Sequence, residues 1–170
     1  MSSLGQIDKL KCQFEDFYEQ EARLFVGKKS DYYIKKWGTA KESGKNLGMN
    51  WPGFLFSLFW LGYRKMYLNV FYFLCGFFVL DIAQYFIPID IYRVVGTTTS
   101  MLIGVMGNLL YYKHMKKKND SIKEQYNDIT IERKIIDIGG ASWVGVGISI
   151  LMLLGYMCLT VGIDIVVFEF

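Results

Sequence analysis

The residues able to do chemistry are few and far apart. His114 is the only histidine among 170 residues, and the three cysteines, Cys12, Cys75 and Cys158, are widely separated with no Cys-x-x-Cys pair. A structural metal needs several thiolate or imidazole ligands at short spacing, so this pattern holds neither a zinc ribbon nor a disulfide framework. No Gly-x-Ser-x-Gly elbow, His-Glu-x-x-His pair or phosphate-binding glycine loop occurs, which leaves no nucleophile with its base and no nucleotide cradle. The expectation is a protein that is not an enzyme and uses no metal and no cofactor. A net charge of +3 is too small to make nucleic acid its partner.

The remaining polar residues matter because of what surrounds them. Asp81 lies within an apolar run of 20 residues, 68–87, long enough to cross the roughly 30 Å of bilayer hydrocarbon. Its cost of about 3 kcal/mol at a helix centre is set against twelve Leu, Ile, Phe or Val residues in the run. Those contribute about −5 kcal/mol together, so insertion is favoured. Residues 141–163 are stronger still, 23 residues without a charge. Residues 94–112 are weaker, because Thr97, Thr98, Thr99 and Ser100 interrupt them, and that span must lean on its neighbours. Composition agrees: 52% of the chain is apolar and 17% aromatic. A soluble oligomer with three buried helices is the alternative.

Residues 51–61 are apolar on every side except Ser57, and they reach only half way across a bilayer. With Asn50 as N-cap and Pro52 in the first turn, residues 50–67 read as a re-entrant or interfacial aromatic helix. Its end, Tyr63-Arg64-Lys65 with Tyr67, suits a water boundary. Orientation follows from the 19 lysines and arginines. Nine precede Trp51, Arg64 and Lys65 add two, seven fall in 113–140, Arg93 stands alone in 88–93, and none follows residue 163. The positive-inside rule then places the N-terminus and residues 113–140 in the cytoplasm and the tail, 164–170, outside. The first 25 residues are polar and charged, unlike a cleaved signal.

Outside the apolar runs, Ile7, Leu10, Phe14, Phe17 and Leu24 form one stripe of a helix over 6–25, broken by Glu21 and stopped by Gly27. A second short helix over 30–37 shows Tyr33, Ile34 and Trp37. These aromatics either sit at a lipid surface beside Lys28, Lys29, Lys35 and Lys36 or pack the N-terminal helix on the rest of the protein. Residues 38–47 read as a linker. Lys113, Lys116, Lys117 and Lys118 form a basic collar, and residues 120–133 look helical, continuing the second span toward the N-terminal helix.

Small residues recur every fourth position: Gly96, Ser100 and Gly104 in one span, Ala141, Gly145 and Ser149 in the other. Helices in lipid pair through close backbone approach, so these faces are expected to pack, within one chain or between copies in a homo-oligomer. At the inner end of the second span, Gly107, Tyr111 and His114 share a face. Asn108 must find a hydrogen-bond partner there, either Arg64 or a backbone carbonyl near the aromatic helix. The set is either a structural latch or a site for a lipid head group, an ion or a protein partner.

These motifs carry a resemblance. Phe25-Val26-Gly27, Tyr32-Tyr33 and Trp37, then Asn50-Trp51, Phe54, Phe56 and Phe59-Trp60, then Tyr63-Arg64-Lys65-Met66-Tyr67 resemble a family of small bacterial membrane proteins catalogued as domain of unknown function 2628. Gly107-Asn108-x-x-Tyr111-x-x-His114 is similar to its second motif. The resemblance implies a protein of the bacterial cytoplasmic membrane with no established activity. Some members look to carry an N-terminal zinc ribbon, for which this chain lacks the cysteines.

The reading is an all-α integral membrane protein: a cytoplasmic helical segment (1–49), the aromatic helix (50–67), spans at 68–87, 94–112 and 141–163, and a cytoplasmic loop (113–140). Trp37, Trp51, Trp60, Tyr63, Arg64, Lys65, Asn108, Tyr111 and His114 would form an inner face for membrane lipids or a protein partner. The alternative is a small channel or transporter component using Asp81 and the run Thr97–Ser100.

Overall fold

The structure, a computed structural model, describes residues 19–43, 47–84, 86, 91–126 and 128–168. Among them the regular structure is entirely helical, with seven α-helices, one 3-10 turn and no strand. The expected stripe residues Ile7, Leu10, Phe14 and Phe17, and also Cys12, lie outside the described residues. The chain divides into two compact units, each made of two separate stretches: Met1–Asn50 with Val105–Ala141, and Trp51–Gly104 with Ser142–Phe170.

In the first unit, α1 (Glu19–Val26) ends where Gly27 takes a φ of +71°, the left-handed stop that glycine makes without strain. A 3-10 turn (Gly27–Lys29) leads into α2 (Ser30–Ser43). Arg23 joins the two helices, bonding Glu19 at 2.8 Å one turn back and Asp31 at 2.7 Å. Helix α2 runs through much of the expected linker, because Ala40, Lys41 and Glu42 are strong helix formers and one Gly38 costs only about 1 kcal/mol. The second part of α5 (Ile91–Gln125) belongs here, so the second apolar run continues as unbroken helix through the basic collar, as the sequence suggested. Helix α6 (Asp128–Ile138) then packs on α1. The junction is a backbone clasp: Gly140 N donates to the Phe25 carbonyl at 2.5 Å, and a Cβ on Gly139 would overlap that carbonyl.

The second unit holds α3 (Trp51–Tyr63), α4 (Tyr67–Gln84), the first part of α5 and α7 (Trp143–Phe168). Helix α3 is two half-helices across a break at Ser57, whose φ of 45° and ψ of −119° suit glycine and strain a serine by about 1–3 kcal/mol. Its end is a Schellman closure. Met66 N reaches the Leu61 carbonyl at 2.9 Å and Lys65 N the Gly62 carbonyl at 2.9 Å, with Lys65 left-handed at φ 58°. Met66, the apolar residue this motif calls for, is fully buried.

Helix α7 packs on α3 and α4. It starts at Ser142, whose N donates to the Tyr63 carbonyl at 2.9 Å, beside an edge-on contact between Tyr63 and Trp143. The close approach is between Gly62 and the pair Gly145 and Ser149. A Cβ on Gly62 would overlap the Ser149 hydroxyl and stand 2.5 Å from the Gly145 carbonyl. The small residues of α7 thus meet the aromatic helix. On the other expected face, Gly96 has nothing within 4 Å of where its Cβ would be, and Ala141 is exposed. Gly96 and Ser100 line, with Ser149, a cavity of about 220 Å³ that Thr99 also lines. Gly62 satisfies the same every-few-residues logic but lies in a segment too short to cross a bilayer.

Among the described residues, two helices are long and apolar enough to cross a membrane: Tyr67–Gln84, with mean hydropathy 1.5, and Trp143–Val166, with 2.2. Only 11% and 6% of these windows are buried, so they are not core helices of the units that carry them. Residues 94–112 are part of the 35-residue α5 and are not among the two, since four consecutive hydroxyls and Asn108 dilute their apolar character.

Two substitutions read this packing. Gly62→Ala should lower the melting temperature in mild detergent, a loss of roughly 2 kcal/mol or more from overpacking against backbone, whereas Gly96→Ala should not destabilise. Lys65→Gly should stabilise by about 1 kcal/mol by removing a left-handed non-glycine residue, read in the same melts.

Candidate functional site

In the first unit, the residues of the two motifs converge although they are far apart in sequence. Phe25 ends α1, Tyr33 and Trp37 lie one helical turn apart on α2, and Asn108, Tyr111 and Tyr112 come from α5. The rings of Tyr33 and Trp37 lie 5.2 Å apart, Tyr33 and Tyr111 5.0 Å, Trp37 and Tyr111 5.8 Å, and Trp37 and Tyr112 5.5 Å. Phe25 meets Tyr111 and His114, each at 6.1 Å. Trp37 and Tyr111 are fully buried, so the packing alternative for the α2 aromatics is the observed one, and Trp37 and Tyr111 do not face lipid.

Asn108 sits at the foot of this cluster with no exposure and every amide atom used. Its Nδ2 donates to the carbonyls of Gly48 at 3.0 Å and Leu47 at 3.3 Å, and its Oδ1 accepts from Asn50 Nδ2 at 3.1 Å. Its backbone carbonyl accepts from the Trp37 indole at 3.1 Å. The expected partner is therefore backbone carbonyl, supplied by 47–48, with Asn50 added. Nearby, Lys36 Nζ donates to the Met49 carbonyl at 3.1 Å and lies over the Tyr32 ring at 4.7 Å. Every polar atom of the Asn108 side chain is spent inside the protein, which is what a latch requires.

His114 is half-buried against Phe25, and its pKa is lowered to about 4. Burial is the main cause, followed by the like charges of Lys118 and Lys117. It is a neutral packing residue at pH 7. Among the described residues, no group of three or more His, Cys, Asp or Glu is placed to hold a metal ion.

The other expected site residues are in the second unit. Trp60 and Arg64 are buried, at 4% exposure each, and the Arg64 guanidinium lies 5.8 Å from the Tyr63 ring. Tyr63 and Lys65 are half-exposed, and Trp51 is 62% exposed, with Leu55, Phe56 and Phe59 also outward. Of the proposed inner face, only Trp51, Tyr63 and Lys65 present surface in this unit. Asp81 is not alone: Tyr156 of α7 donates its hydroxyl to Asp81 Oδ2. The pair lines a cavity of about 290 Å³ with Gln84, Thr160 and Asp164.

Sequence reasoning missed two partners. Tyr156 was hidden as one phenol in a run without charge. Glu21 had a visible signal, since an acid interrupting an apolar stripe needs a reason. The reason is Lys123 at 2.5 Å and Asn119 Nδ2 at 3.5 Å, both on α5.

The geometry defines a class first: a small helical protein in which a buried aromatic and asparagine latch ties an N-terminal helical pair to a long helix. The family model described as Protein of unknown function (DUF2628) matches residues 15–117, and the chain belongs to that family. No curated protein and no solved structure matches the chain.

Asn108→Leu removes three side-chain hydrogen bonds, one from the Asn50 amide and two to the carbonyls of Leu47 and Gly48. The expected loss is about 2–4 kcal/mol, with a red shift of Trp37 emission in detergent. For His114, the unfolded chain takes up a proton near pH 6.5 that the folded chain refuses until about 4. Stability is therefore full above pH 6.5 and falls toward pH 4, by on the order of 3 kcal/mol. In His114→Phe, which keeps the ring contact, that acid slope should shrink in pH-resolved melts.

Proposed function

We propose that this is a non-enzymatic, multi-pass protein of the bacterial cytoplasmic membrane that engages lipid head groups at its cytoplasmic face. The observation carrying it is two apolar helices, 18 and 24 residues long, almost unburied in a chain whose lysines and arginines cluster on the expected inner side. Residues 94–112 complete three spans, with the N-terminus inside and the C-terminus outside. Surfaces this apolar exceed what a soluble monomer tolerates.

The contacting groups are the exposed lysines of the collar, Lys113, Lys117 and Lys118, with half-exposed Lys65 and Tyr63 and exposed Trp51. Lys65 keeps a cation where glycine would be easier, and a strained position of that kind often marks use. Each lysine near an anionic surface contributes about 1 kcal/mol, which salt screens. Trp37, Asn108 and Tyr111 serve by holding the segment that carries these groups.

Two measurements test this. In proteoliposomes of a Cys12→Ser chain, Cys75 and Cys158 should resist a membrane-impermeant maleimide until detergent is added; prompt labelling would refute the spans. Replacing Lys113, Lys117 and Lys118 together with Gln should abolish any preference for vesicles rich in phosphatidylglycerol at low salt, and an unchanged preference would refute the head-group role.

A second reading rests on the Asp81–Tyr156 pair and its cavity: a small oligomeric channel or transporter component. Ion flux in liposomes that disappears in Asp81→Asn would favour it, and absence of flux in both forms would favour the first.

A further inference from the structure

A cavity of about 260 Å³ in the first unit lies beside α1 and α5, lined by Glu21, Tyr112, Lys116, Asn119, Asp120 and Lys123. Asn119 is 1% exposed, and among the described residues its Oδ1 has no hydrogen-bond partner. The orientation of this amide is set by Glu21: its Nδ2 donates toward Glu21 Oε2 at 3.5 Å, and a turned amide would aim its oxygen at a carboxylate. The Oδ1 atom is therefore a buried acceptor to which none of the described residues donates. Around it stand two cations and two anions, and Lys123 is already paired with Glu21 at 2.5 Å.

That balance argues against a simple anion site, since the lysines are offset by carboxylates. It suits a small zwitterion that brings N–H donors to the asparagine and the acids, and an anion to the lysines. At the end of a lysine run beside a bilayer, the zwitterion of that description is a phosphate ester of ethanolamine. We propose that this cavity binds a phosphoethanolamine group. Its ammonium donates to Asn119 Oδ1 beside Glu21 and Asp120, and its phosphate meets Lys116 and Lys123. An ammonium has three donors to give, and a cavity of this size admits several small polar groups at ~30 Å³ per water. The group arrives either on phosphatidylethanolamine or as the free ester. The lipid source rests on the membrane reading above; the free source does not.

Phosphatidylcholine supplies the discriminating control, because its quaternary nitrogen has no N–H to give. In native mass spectrometry of the full chain from mild detergent, phosphatidylethanolamine should be retained about tenfold over phosphatidylcholine. Asn119→Leu should erase that preference, as should the smaller Asn119→Ala, and Lys116→Gln should weaken both lipids alike. If Asn119→Leu fails to fold, the Asn119→Ala and Lys116→Gln pair still decides. With O-phosphoethanolamine as a soluble probe, a rise in melting temperature that phosphocholine does not give identifies the free ester as the source. Equal retention of the two lipids with no response to the free ester would overturn the proposal, as would a preference that survives Asn119→Leu; water would then be what fills the cavity. The collar variant Lys113→Gln, Lys117→Gln, Lys118→Gln should leave the ethanolamine preference intact, so failure of the head-group role and failure of this site read differently.

Discussion

Asn108 brings an amide into a place walled by Trp37, Tyr111 and Tyr112, where water does not reach and each unmade hydrogen bond costs about 1–3 kcal/mol. Two carbonyls, a second asparagine and an indole N–H have to be brought to it together. That demand fixes where residues 47–50 run and holds α2 against α5. The second unit obeys the same rule with other means. Ser149 returns its hydroxyl to the Gly145 carbonyl at 3.1 Å, and Asp81 takes a phenol from Tyr156. Polar groups among apolar helices behave here as fasteners.

The residues that carry the resemblance therefore describe an architecture. Phe25, Tyr33 and Trp37 are read with Asn108 and Tyr111 because they touch, and Arg64-Lys65-Met66 because a Schellman turn needs a buried apolar residue after its left-handed one. In this chain those residues are occupied by packing, so reactivity is better sought in the polar groups at their margin.

Much of this was legible in the sequence. Helical type and the two strong apolar runs followed from length and hydropathy, and Gly27 stopped its helix as a glycine at that place should. The need of Asn108 for a carbonyl followed from its surroundings. Partner choice was not legible. The stripe Gly145 and Ser149 announced a close approach without naming Gly62, because periodicity marks a face and is silent about what lies across from it. The extension of α2 past Gly38 escaped because one glycine looks like punctuation until the strong formers after it are weighed. Trp37 and Tyr111 admitted a packing and a lipid-facing reading alike, because an aromatic beside lysines suits an interface and a core equally well. The break at Ser57 had no signal, since serine is not a residue that advertises a positive φ.

The clasp between Gly140 and Phe25 has a consequence for biosynthesis. The carbonyl end of α1 is closed by an amide 115 residues further along the chain, which leaves the ribosome much later. At roughly 5–20 residues per second, the N-terminal helices wait several seconds, unfinished, while the intervening segments emerge. During that delay the face of α1 that packs on α6 is uncovered, so nascent chains stalled before residue 140 should be the ones that chaperones and proteases intercept.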